Sequence, residues 1–285
     1  MKELVFLSGK GGAGKTVITA SIIVLLGDSV SVDCDVDASN LPLLIRPVDI
    51  LQQGVFEGPL SARIDLERCV RCGRCIEVCR FFAISSDYVV DSALCEGCGF
   101  CQYVCPNDAI SMDREESGNW AVHKTDFGLL VSGDVGASGE NSGKLVSILK
   151  EKARELATDA GKSWIVCDGP PGTGCPVISS LNGANQVLLI VEATLSGLED
   201  AKKTADLCEK MNFTPAIIIN KWDLNEDVSL KIDSWARKHR FPLLGRIPFD
   251  EGVIDAVVHN RAPVLTEGRF SVAIKEIFEN LMSLL

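Results

Sequence analysis

Residues 9–16 read Gly-Lys-Gly-Gly-Ala-Gly-Lys-Thr and stand directly behind the apolar run Leu4–Leu7. The spacing Gly9-x-x-x-x-Gly14-Lys15-Thr16 is that of a phosphate-binding loop set between a strand and a helix. Gly9, Gly11, Gly12 and Gly14, with the small Ala13, let successive backbone N–H groups turn toward phosphate oxygens. The helix that follows aims its positive end at the same place. Lys15 supplies a point charge for the β- and γ-phosphates, and the Thr16 hydroxyl suits Mg²⁺. An ordinary glycine-rich turn would need neither the lysine nor the threonine.

The second chemical signal is sulfur. Cys69, Cys72, Cys75 and Cys79 follow the pattern C-x-x-C-x-x-C-x-x-x-C, and Cys95, Cys98, Cys101 and Cys105 repeat it. Short gaps let three thiolates converge on one 4Fe–4S cube, while the fourth cysteine of each run crosses to the other cube. The expected ligand sets are Cys69, Cys72, Cys75 and Cys105 for one cluster, and Cys95, Cys98, Cys101 and Cys79 for the other. Pro106 follows the last cysteine as this spacing usually has it, whereas Arg80 stands after the first run. Zinc is the competing reading, but two intact four-cysteine runs exceed what a zinc site needs. Charge differs between the repeats. Residues 63–80 carry five arginines against Asp65, Glu67 and Glu77, and residues 87–116 carry seven acids against Arg114. That asymmetry predicts the higher potential for the Cys69-containing cluster.

Apolar runs at Leu4–Leu7, Ser29–Asp33, Trp164–Asp168, Gln186–Glu192, Pro215–Asn220 and Leu243–Ile247 alternate with helix-length segments at Thr16–Leu26, Gly143–Ala160, Leu198–Met211, Val228–His239 and Phe270–Leu285. Strands such as Val187–Val191, apolar at every position, suit a sheet covered on both faces. The alternation predicts a doubly wound α/β fold with a mostly parallel sheet. The cysteine segment interrupts it. An internal repeat at an offset of 26 residues carries Ala83 and Ile84 onto Ala109 and Ile110 along with the cysteines. The expected organisation is therefore an inserted two-cluster domain over 57–118, with 1–56 and 119–285 forming the phosphate-binding domain.

Lys10, a second lysine inside the loop, makes a resemblance specific. The stretch Lys10–Thr16 resembles the deviant P-loop of the MinD/ParA/Mrp group of ATPases, here with an inserted bacterial-ferredoxin-like α+β domain. The resemblance implies ATP bound with Mg²⁺ and hydrolysed to ADP and phosphate, and an ATP-dependent homodimer, or a heterodimer with a related ATPase. It gives Lys10 the role of reaching the partner's ATP. "VDCDVDASN" (32–40) resembles the group's switch I, with Asp35 orienting the attacking water; Asp33 or Asp37 caps that switch or lies near Mg²⁺. "WIVCDGPPGTG" (164–174) resembles its Walker B strand running into switch II, with Asp168 on Mg²⁺ and the Gly172 N–H on the γ-phosphate. "NKWD" (220–223) would place Asn220 at adenine with Pro248 stacking nearby, although Asn220-Lys221-x-Asp223 in other P-loop proteins selects guanine.

Three functions fit these features: ATP-gated electron transfer through the clusters to an unidentified redox protein, assembly or delivery of an Fe–S or related metal cofactor, and intracellular positioning with the clusters as redox sensors. Eight permanent ligands favour the first. No cysteine lies beyond Cys208, so the C-terminal pair of Mrp-type carriers is absent. A net charge of −11 without a basic block argues against nucleic acid as a partner. Met1–Glu3 lead straight into the first strand and no apolar run is long enough to span a bilayer, so a cytoplasmic protein is expected. The last helix lacks the basic face of a membrane anchor and should pack in the core or a dimer. Cys34 and Cys175, flanking the two switches, read as small buried hydrophobes.

Overall fold

A computed structural model describes residues 1–92, 94–136 and 141–285. The chain forms two compact units: one of Met1–Gln53, Trp120–Asp134 and Ser142–Leu285, the other of Gly54–Asn119 with Val135–Asn141. In chain order the elements are β1 (Lys2–Ser8), α1 (Lys15–Leu26), β2 (Ser29–Asp33), α2 (Leu41–Ile45), β3 (Asp49–Ile64), α3 (Arg74–Val78) and α4 (Phe100–Tyr103). There follow β4 (Ile110–Thr125), β5 (Gly128–Val135), α5 (Ser142–Asp159), β6 (Trp164–Pro171), α6 (Cys175–Leu181), β7 (Gln186–Glu192) and α7 (Leu195–Lys210). The chain continues through β8 (Ala216–Asn220), α8 (Glu226–His239), β9 (Leu243–Ile247), α9 (Glu251–Val258) and α10 (Arg269–Leu284).

The strands lie in the order β3-β4-β5-β2-β6-β1-β7-β8-β9. From β5 to β9 every neighbouring pair is parallel. Leu4, Phe6, Val166, Leu188, Ile190 and Ile218 are fully buried or nearly so, because helices cover both faces of these strands. Each such side chain contributes about 1.5–3 kcal/mol by leaving water. On α10, Phe270, Ile274, Ile277 and Leu281 recur at helical spacing and join this core, while Lys275, Glu276 and Glu279 stay outside. Two features of the sheet place the chemistry. β1 sits between β6 and β7, so the loop after Ser8 emerges at the centre of the carboxyl edge. The β2–β6 register sets Asp33 opposite Asp168 at that edge.

The structure adds elements that apolar runs do not reveal. β3 and β4 are long strands whose polar stretches, Gln52-Gln53 and Arg114–Asn119, break the hydrophobic pattern. β3 is exposed from Asp49 to Gln53, so nothing demands apolar residues there. The second unit is also wider than residues 57–118: it starts at Gly54 and takes in Val135–Asn141, from the last residue of β5 onward.

Within the second unit the two halves of the sequence repeat have equivalent structures. Gly73 and Gly99, both left-handed, precede α3 and α4. Ala83 and Ala109 are equally buried, and Ile84 and Ile110 meet in a small core with Ala62 and Cys75. Cys79, Cys95, Cys101 and Cys105 pack against that core.

Candidate functional site: the loop after β1 and its acidic neighbours

The loop of residues 9–14 is shaped by two close approaches. Gly14 is left-handed (φ 89°) and caps α1, and a side chain there would collide with the Asn220 amide. Gly9 lies against the backbone of α7, where an added methyl group would sit 2.6 Å from the Ala201 nitrogen. The loop opens onto a cavity of about 860 Å³ whose lining includes Gly11, Gly12, Lys15, Thr16, Asp35 and Asp37. A second cavity, of about 330 Å³, is lined by Gly12, Gly14, Asn220, Pro248, Phe249 and Val253. The first brings the charged Lys15, Asp35 and Asp37 to one cavity and the second is an apolar slot beside Asn220, features that phosphates and a base could use.

Asp168, fully buried at the end of the β6 apolar run, is the hub of the polar contacts behind the loop. It accepts hydrogen bonds from Lys15 Nζ at 2.8 Å, Thr16 Oγ1 at 2.7 Å and Thr19 Oγ1 at 3.0 Å. Lys15 is itself buried, and Asp35 Oδ2 lies 3.8 Å from its ammonium. Burial pulls the lysine's pKa down, but the charge and hydrogen bond of Asp168, with Asp35 and Asp33, outweigh it and leave Lys15 above the ordinary value. Burial pushes Asp35 up to about 6, opposed by Lys15 and assisted by Asp168.

Asp33 serves the backbone. Its carboxylate accepts from Asp35 N at 3.1 Å, Ser39 Oγ at 2.8 Å and Leu41 N at 3.1 Å, tying residues 33–41 into one turn. Burial, reinforced by Asp168, raises its pKa to about 7. Of the two neighbouring acids, Asp33 is thus the cap, and Asp37 is exposed at the cavity mouth.

Lys10 points along its own chain. Its ammonium contacts Glu192 Oε2 at 2.7 Å, Thr194 Oγ1 at 3.2 Å and Ser196 Oγ at 3.3 Å. Lys221 takes the other oxygen of Glu192 at 2.8 Å. Burial pushes the Glu192 carboxyl up, but the hydrogen bonds and charges of Lys10 and Lys221 prevail and hold it below the usual range.

Asn220 donates through Nδ2 to Ala13 O at 2.8 Å and accepts from Lys221 N at 3.0 Å, so it joins the slot to the phosphate loop. Asp223 is committed elsewhere: one oxygen accepts from Phe249 N at 2.7 Å and the other from Arg269 at 3.0 Å. Here it braces the chain between β9 and α9.

Two expectations need correction. The Gly172 N–H is not free for a phosphate, since it donates to Ser8 O at 3.0 Å and pins the end of β6 to β1. Cys175 is not a buried hydrophobe but an exposed residue at the start of α6; Cys34 is fully buried, one residue from Asp33. Sequence reasoning also missed Thr19 and Glu192. Thr19 lies one helical turn beyond Lys15, a spacing that puts both on one face. Glu192 ends β7, and no motif marks it.

A loop of this form at the carboxyl edge of a parallel sheet, backed by a buried aspartate, defines a P-loop nucleotide-binding protein. The chain belongs to the CobQ/CobB/MinD/ParA nucleotide-binding family, whose CbiA domain model matches residues 4–264. Two uncharacterized proteins of Methanocaldococcus jannaschii are similar along almost their whole length. MJ0578 is 32% identical, with 98% of this chain and 96% of that protein covered. MJ0579 is 26% identical, with 90% of each covered. Among solved structures, the cell division ATPase MinD of Pyrococcus furiosus shares the fold at a TM-score of 0.60 and 19% identity, covering 100% of this chain and 99% of that one. The septum site-determining protein MinD of Pyrococcus horikoshii, solved with Mg-ADP, has a TM-score of 0.63 at 17% identity, covering 99% and 96%. A ParA family ATPase of Chlorobium tepidum has a TM-score of 0.57 at 16% identity, covering 98% of each chain. Among the described residues, no helix is long and apolar enough to cross a membrane.

Proposed function

We propose that this chain is an ATP-hydrolysing switch whose nucleotide state governs two 4Fe–4S clusters held by the second unit, and that it passes electrons to a partner protein. The observation that carries the reading is the grouping of cysteines. Cys79, from the first run, lines one cavity with Cys95, Cys98 and Cys101 of the second, the crossing that the spacing calls for. Backbone N–H groups already point at sulfur: Arg71 N to Cys69 Sγ at 3.4 Å, Ala109 N to Cys105 Sγ at 3.3 Å, and Ala62 N to Cys95 Sγ at 3.5 Å. Among the described residues no three His, Cys, Asp or Glu side chains converge as ligands of a single metal ion. A cube asks for something else, one thiolate on each of four irons spread around it. The two four-cysteine runs supply the eight thiolates that two such cubes would take. When bound, each cluster supplies one-electron carrying capacity.

The remaining chemistry belongs to the chain. Lys15 exchanges Asp168 for the β- and γ-phosphates, and Thr16 with Asp168 would hold Mg²⁺. Asp35, raised by burial to about 6, stands close enough to neutrality to orient and accept from water. We take the base as adenine, because Asp223 is already engaged at both oxygens by Phe249 N and Arg269 and is less available to a guanine edge. Lys10 leaves Glu192 to reach the ATP of a second protomer, so its release accompanies dimer closure.

The test is anaerobic. The purified chain should carry about eight irons, dimerise with ATP but not ADP, and lose that dimer in Lys10→Ala. Cluster midpoint potentials should differ between the ADP and ATP forms. Identical potentials in both, or a chain that hydrolyses ATP without iron, would overturn the reading. Cluster loss to an apo-protein on ATP addition would instead mark a carrier.

A further inference from the structure

The two repeats of the second unit fold alike but present different surfaces. At two equivalent positions both are left-handed: Arg71 (φ 53°) matches Gly97 (φ 61°), and Phe82 (φ 54°) matches Asp108 (φ 46°). Glycine and aspartate tolerate that conformation; an arginine and a phenylalanine occupy it at a conformational cost. Phe82 is also 86% exposed, with Val70 exposed nearby in sequence, so its ring gains nothing from the core. Arg68, Arg71, Arg74 and Arg80 lie in the same stretch and are all exposed. Among the described residues none of the four forms an ion pair, although acids outnumber bases 39 to 28 in the chain. Arginines and an aromatic held out in water at conformational cost are the residue types that dominate protein–protein contacts.

Resting on the electron-transfer reading above, we propose that the stretch from Arg68 to Phe82 is the docking face for an acidic electron-carrier protein. Phe82 and Val70 would supply its apolar contacts and the four guanidiniums its charged ones. Arg71 and Arg74 flank Cys72, which is exposed, so a carrier seated there would lie directly over the first cysteine run. An acidic protein fits better than a nucleic acid. Glu67 and Glu77 interrupt the arginines and would oppose a continuous phosphate backbone, whereas carboxylates on a protein can be placed opposite individual arginines. Equivalent positions of the second repeat, with Glu96 and Asp108, have the wrong sign for the same partner.

The experiment uses the iron-loaded chain and a purified acidic ferredoxin as probe, with affinity read by calorimetry over a salt series. Affinity should fall as salt rises. Arg71→Glu with Arg74→Glu should weaken it by about tenfold or more. Phe82→Asn, which suits the left-handed backbone, should weaken it by about fivefold or more without lowering thermal stability. Affinity unchanged by these substitutions overturns the proposal. So does sedimentation showing that the charge reversal instead abolishes self-association, which would make a second copy the occupant. Arginine-dependent binding of a single-stranded oligonucleotide as tight as that of the ferredoxin also overturns it. Iron content is measured on each sample. A chain without iron that still binds the probe through Arg71 and Arg74 keeps the docking face and loses the electron-transfer reading; an iron-loaded chain that ignores the probe does the reverse.

Discussion

Lys15 and Asp168 form a buried ion pair at 2.8 Å, with side chains only 6% and 1% exposed. Replacing Lys15 by methionine keeps the side chain's bulk but strands a carboxylate in the interior. Breaking such a pair costs about 3–5 kcal/mol. The low end applies here, because Thr16 and Thr19 still donate to Asp168. About 3 kcal/mol corresponds to a fall in Tm of roughly 6–12 °C for a chain of this size. The assay is thermal melting with neither nucleotide nor Mg²⁺, so that loss of ligand binding cannot contribute. Asp168→Asn alone should also destabilise, by leaving the buried lysine charge only the more distant Asp35, at 3.8 Å. The double variant should cost less than the two single losses added together, with a coupling of about 2 kcal/mol. If Lys15→Met melts with the unmodified chain, or if the two losses simply add, Lys15 and Asp168 do not depend on one another and the electrostatic account of the site is wrong.

Gly9→Ala should destabilise by about 1–3 kcal/mol, since its methyl group meets the backbone of α7 and the helix must move; an unchanged melting curve would refute that packing. Asp250 accepts from Phe270 N at 3.0 Å and Gly252 N at 2.9 Å, and the Phe270 bond first of all holds its carboxyl below the usual range. Its contribution is therefore present above the unfolded-state pKa and lost as pH falls through the lower folded value. Asp250→Asn should flatten the acid limb of stability against pH in urea titrations, and parallel limbs would exclude the effect. Cys98→Ser should reduce iron from about eight to about four per chain; total loss, or none, would contradict two separately held clusters.

Much of the site was readable because its residues answer local demands. The phosphate loop needs its glycines, lysine and threonine at fixed spacing, and buried strands such as β7 and β8 need apolar residues at every position. The cysteine runs carry their own register, which the paired environments of Ala83 and Ala109 echo. What escaped depends on contacts distant in sequence. β3 is exposed along its first residues, so its composition gives no strand period. Nothing near Gly172 announces that Ser8 will occupy its N–H. Asp223 sits in a tetrapeptide that elsewhere reads guanine, and only the approach of Phe249 and Arg269 shows that it is spoken for.

The amide of Asn220 grips the carbonyl of Ala13 while facing the slot beside Pro248. One side chain therefore fastens the apolar slot to the glycine-rich loop, which in the proposed ATP complex would link the base to the phosphates. Attempts to re-engineer base preference at this position will disturb grip on the phosphates first. Altered selectivity with undiminished affinity will have to come from the opposite wall, around Phe249 and Val253.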